Sequence, residues 1–169
     1  MRNPKFAIRF LLLAVAQVLL WNYCNFTQYL TPVFLPVLIL CLPVRRGTVF
    51  AMLLAFATGF AVDFLASGML GLTSLALVPV ALTRHGVIRL VCGEEVFARG
   101  ENISIKRQGL PKMTLAILME TALFLVIYIW ADGAGTRPLW FNLVKLASSL
   151  LTGVLLSLLA ANILDYESR

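Results

Sequence analysis

Six apolar runs, near residues 10–26, 29–43, 49–66, 70–88, 113–130 and 140–164, take up most of this 169-residue chain. Several reach the roughly 20 residues that a helix needs to cross a bilayer. In hydrocarbon every backbone N–H and C=O must find a partner inside the protein, so a chain built of such runs is restricted to helices. Only 13% of the residues are charged and the mean hydropathy is +0.91, which excludes a water-soluble enzyme. The remaining connections are short, apart from residues 92–112, and leave no room for a soluble catalytic domain. The sequence therefore predicts one integral membrane domain over 1–169, an all-α polytopic six-helix transmembrane bundle lodged in a lipid bilayer.

The net charge of +6 does not signal nucleic acid, because the basic residues punctuate the apolar runs instead of forming a stripe. Arg2, Lys5 and Arg9 precede the first run, Arg45 and Arg46 separate the second from the third, and Arg84 to Lys112 surround the fourth connection. The alternate connections, 22–32 and 65–70, carry no Lys or Arg, and 131–139 carries only Arg137. By the positive-inside rule both termini and 92–112 are expected in the cytoplasm. Pro32, Pro36 and Pro43 make the second run short for a helix, but a re-entrant path there inverts the downstream charge bias, so a full crossing is expected. Ala14-Val15-Ala16 has the form of a cleavage site, yet only four apolar residues separate it from Arg9, and the first run is read as an uncleaved span.

Few residues carry chemistry. Cys24, Cys41 and Cys92 are widely spaced without neighbouring His ligands and predict neither a metal site nor a disulfide. No Ser/His/Asp set or phosphate-cradling glycine loop is assembled, so no catalytic residue, metal or cofactor is expected. His85 stands alone beside Arg84. The 92–112 connection is read as a charge-bearing cytoplasmic loop with a short hairpin around Ile103 and Ile105, with a docking role as the alternative.

Inside the spans the small and ionisable residues are more informative. Ala51, Ala55 and Gly59 recur at intervals of four and lead to Asp63 on the same helix face, and Ser149, Gly153, Ser157 and Ala161 repeat the device. Such grooves admit another helix, from the same bundle or from a membrane partner. A charge within a membrane needs a partner or a route to water. Asp63, about 21 Å along the third span, matches the depth of Lys145. Glu120 likewise matches Arg84. Two readings stand for each set, pairing at a shared depth or separate snorkelling to the interface.

The stretch from TPVFLPVLILCLP through AFATGFAVDFLASGMLGLTSLALVPVALTRHGV resembles the rod shape-determining MreD family of bacteria. Phe56, Gly59, Asp63, Gly68 and Gly71 look like that family's F-x-x-G-x-x-x-D pattern followed by glycines. The resemblance implies a non-catalytic component of the cell-elongation complex in the bacterial inner (cytoplasmic) membrane. Its partners would be a single-span MreC-like protein, an MreB-like actin filament, and the transglycosylase and transpeptidase of wall synthesis. It also implies a structural or partner-binding meaning for Gly59, Asp63, Gly68 and Gly71; from the depth reading, Asp63 is expected to pair with Lys145 or to cap the turn of Gly68 and Gly71. Vitamin-binding S-components of energy-coupling transporters are similar in size and span count, and small-molecule binding by such a fold is the alternative. Asp63, Asn22, Asn25 and Gln28 would then contribute to a pocket.

Overall fold

The computed structural model describes residues 4–23, 30–43, 47–67, 69–93, 109–133 and 137–165. They form an all-helical bundle: α1 Pro4–Tyr23, α2 Leu35–Leu40, α3 Thr48–Val62, a π-helical turn Asp63–Ser67, α4 Leu72–Cys92, α5 Leu110–Gly133 and α6 Leu139–Asp165. Among the described residues five helical segments are long and apolar enough to cross a membrane. The expectation of an all-α polytopic bundle is met. The expected hairpin at Ile103 and Ile105 falls outside the described residues.

The second run departs from a spanning helix. Residues 31–34 are not helical, and the helix that follows has only six residues. The prolines account for this. Pro32 biases Thr31 toward extended backbone, Pro36 is tolerated in the first turn of α2, and Pro43 pushes Leu42 out of the helical region. Every residue from Pro32 to Leu42 is buried.

The chain nevertheless passes from one end of the bundle to the other in this stretch. Asn22 at the end of α1 donates to the Leu65 carbonyl in the π-helical turn, at 3.4 Å. Thr48, at the opposite end of α3, meets His85 Nδ1 at 3.3 Å. Residues 23 to 48 therefore join opposite ends, and the described part of that connection is a few extended residues and less than two turns of helix in place of a spanning helix. Arg9 donates to the Ile163 carbonyl at 3.2 Å, so α1 starts at the end of the bundle where α6 finishes.

Neighbouring helices pack in the order α3, α4, α5, α6, with α1 touching both α6 and α3 to close the ring. The short α2 lies inside, against α4, α5 and α6. Its Leu35, Val37, Leu38, Ile39 and Leu40 form the centre of the core, all at most 1% exposed. Lipid is as apolar as these side chains, so close packing and internal hydrogen bonds hold the bundle together. Long aliphatic residues such as Leu11, Leu53, Leu90 and Leu151 face outward instead.

Candidate functional site

Two polar constellations organise the bundle, and both are built on backbone. The first cradles the extended residues that lead into α2. Non-helical backbone at membrane depth survives only where protein satisfies its polar groups. Gln17 and Trp21 lie four residues apart on one face of α1, and both donate to the Pro32 carbonyl, at 3.0 and 2.8 Å. The Gln17 amide oxygen also accepts from the Phe34 N–H at 3.0 Å, so one side chain holds both edges of the strand-like segment. From the other side, Ser149 of α6 accepts from the Thr31 N–H at 2.9 Å. One turn on, a Cβ at Gly153 would lie 3.0 Å from the Val33 carbonyl oxygen. The groove read from Ser149, Gly153, Ser157 and Ala161 is thus real and buried, and its upper part holds the chain's own second crossing instead of a whole helix.

The other end of α2 is held by Arg84. Its Nε donates to the Leu40 carbonyl at 3.2 Å and its Nη2 to the Leu42 carbonyl, the groups left unbonded where the short helix stops. A fully buried guanidinium thereby serves as a C-terminal cap supplied by a neighbouring helix. The expected match of Arg84 with Glu120 holds as proximity, since each charge acts on the other, but the hydrogen bonds of Arg84 go to main chain. Glu120 is buried on α5 and accepts from the Thr83 hydroxyl at 3.4 Å, while Arg84 turns to the carbonyls that α2 exposes. The depth reading brought the two to one level, the contact of α4 with α5 brings them together, and the broken helix end offers a nearer demand for donors than the carboxylate does.

The second constellation is the corner between α3 and α4. Ala51, Ala55 and Gly59 are buried, and α4 occupies their groove. A Cβ at Gly59 would lie 2.7 Å from Ser74 Cα and 2.8 Å from Ser74 N, so only glycine permits the approach. Ser74 returns a hydrogen bond to the Phe56 carbonyl at 3.1 Å. Asp63 is fully buried and accepts from the Gly71 N–H at 3.0 Å and from the Thr73 N–H at 2.9 Å. It caps the start of α4, whose own N-cap, Gly71, has no side chain to do so and sits at φ +94, where glycine is favoured. A carboxylate at the positive end of a helix is also favoured by the backbone dipoles.

Asp63 therefore does not pair with Lys145. Lys145 Nζ bonds Asp132 Oδ2 at 3.1 Å, and Arg137 bonds the same oxygen at 2.6 Å. Of the alternatives open for Asp63, capping the Gly71 turn is the one adopted, because the amides eight and ten residues further along the chain are closer than a cation on α6. Gly59, Asp63 and Gly71 meet in one corner, and Gly68 lies outside the described residues. Asn22, assigned above to a solute pocket, bonds the Leu65 carbonyl instead, while Asn25 and Gln28 lie outside the described residues.

Gln17, Trp21, Thr73 and Asp132 escaped the reading from sequence. Gln17 carried a signal, as an amide in the middle of the first apolar run, and Asp132 stands just past the end of the fifth. Among the described residues no group of three or more His, Cys, Asp or Glu side chains is placed to hold a metal ion. Fold and site together define a multi-pass, all-helical membrane protein with one broken crossing pinned at both ends. The chain matches no protein-family profile, no curated protein and no solved structure.

Proposed function

We propose that this protein is a non-catalytic scaffold of the bacterial cell-elongation complex, residing in the cytoplasmic membrane with both termini in the cytoplasm. The observation that carries the reading is how unevenly the helices are buried. In α5 50% of the spanning window is buried within the chain, but in α1 only 11%. Ile8, Leu11, Leu12, Val15 and Leu19 expose 47–66% of their surface along one side of α1. Such a face suits a single-span partner helix, the kind of partner that the resemblance to the MreD family implies. The deeply buried polar groups Gln17, Asp63, Arg84 and Ser149 bind main chain, which favours a supporting role over chemistry on a substrate.

Through such partners the protein would connect an MreC-like single-span protein, an MreB-like filament and the wall transglycosylase and transpeptidase. Purification of tagged protein from native membranes in mild detergent tests this. Recovery of the single-span and wall-synthesis proteins is the expected result. Recovery of a transporter ATPase would replace it with the S-component alternative.

A further inference from the structure

At the end of the bundle opposite the start of α1, a cavity of about 420 Å³ opens beside Arg137, Pro138, Phe141 and Lys145. Phe141 and Lys145 lie four apart on one face of α6, and Arg137, two residues before that helix starts, lines the cavity beside them. Both cations converge on a single carboxylate oxygen, Asp132 Oδ2. Two positive charges against one carboxylate give this triad a net positive charge. Water screens it only in part, since the Lys145 side chain is 9% exposed and that of Asp132 18%, while Arg137, at 38%, reaches the opening.

An excess positive charge partly withdrawn from water favours an anion at the opening. The start of α6 adds its unbonded N–H groups and the positive end of its dipole. Arg137 is steadied for the task, with its guanidinium carbon 5.6 Å from the centre of the Phe141 ring and its stem packed over Gly133. Leu139, Trp140 and Leu143, immediately beside the cavity in sequence, are 63–77% exposed and apolar. An exposed tryptophan at a helix end is typical of the headgroup level. The volume falls within the usual range for small-molecule sites, roughly 300–1,000 Å³.

We infer that the Arg137–Lys145 cavity is a binding site for a phosphate group, held by the two cations with Asp132 as an internal competitor. The phosphate comes from an anionic lipid headgroup whose acyl chains lie along Leu139 and Leu143, or from a free phosphate ion.

The full chain, purified in neutral detergent, is titrated separately with phosphatidylglycerol, phosphatidylcholine and inorganic phosphate, with thermal unfolding and native mass spectrometry as readouts. Stabilisation by phosphatidylglycerol alone identifies a lipid headgroup, and stabilisation by inorganic phosphate identifies a free anion. Either supports the site, provided that Arg137→Gln weakens the effect about ten- to hundredfold, the worth of one charged hydrogen bond. Lys112→Gln, exposed at the far end of α5, should leave it unchanged. Asp132→Asn supplies a test of opposite sign. It removes the competing charge while keeping the shape, so binding should tighten about tenfold, whereas a purely structural triad would only lose stability. Failure of both anionic probes to exceed zwitterionic phosphatidylcholine, whose phosphate is already neutralised by its own choline, equal binding by Arg137→Gln, or binding by Asp132→Asn that is not tighter would each overturn the inference.

Discussion

Removing Gln17 and Trp21 singly and together tests whether the broken crossing is held as described. Both donate to the same carbonyl, Pro32 O, but only Gln17 also accepts from Phe34 N–H. Trp21→Phe keeps most of the ring and leaves the carbonyl bonded to Gln17, so it should cost about 0.5–1.5 kcal/mol, the net value of one hydrogen bond. Gln17→Leu leaves the carbonyl bonded to Trp21 but strands the buried Phe34 N–H, at about 1–3 kcal/mol. In the double variant the Pro32 carbonyl loses both donors as well. An extra penalty of about 1–3 kcal/mol for that orphaned acceptor then appears, which neither single change incurs. The losses should therefore exceed additivity by at least about 1 kcal/mol, as expected for residues sharing one partner. Unfolding of the purified chain in mixed micelles measures all three. Strictly additive losses would refute the shared acceptor, and a stable double variant would show that the segment at 31–34 does not rely on α1.

Three further outcomes are expected. Gly59→Ala should destabilise by about 1–3 kcal/mol because the new methyl meets Ser74 backbone, while Gly86→Ala, exposed within α4 and with nothing near its Cβ, should stabilise by about 0.5–1 kcal/mol; thermal unfolding of the two variants side by side separates packing from propensity. Asp63→Ala, which strands the Gly71 and Thr73 amides, should cost about 1–3 kcal/mol, and its loss should add simply to that of Lys145→Ala, whereas Asp132→Ala and Lys145→Ala should be non-additive; coupling of Asp63 with Lys145 would contradict the assigned partners. Arg84→Met removes both donors from the end of α2 and should raise the rate at which a thiol reagent labels buried Cys41, an effect absent in Lys112→Met; unchanged labelling would show that Arg84 does not hold that end.

Apolar run length was enough to read the helical class and the five long spans, since these depend on composition along the chain and on the thickness of a bilayer, whereas the second run, read as a sixth span, holds only a six-residue helix. The spacing of Ala51, Ala55 and Gly59 likewise exposed a groove on α3, because a small-residue stripe repeats with the helix itself, but that α4 fills it was decided by the fold. Partners of buried charges were decided only by the tertiary structure. Depth along a helix is one coordinate of three, and it placed Asp63 level with Lys145 while azimuth and the local turn gave Asp63 to Gly71 and Thr73 and left Lys145 to Asp132. The same holds for Arg84, whose carbonyl partners exist only because three prolines stop α2 after six residues and leave its last groups unbonded inside the bundle. Hydrogen-bond demand created by a broken helix is invisible in a hydropathy profile, and in a medium without water it outranks the pairing of opposite charges.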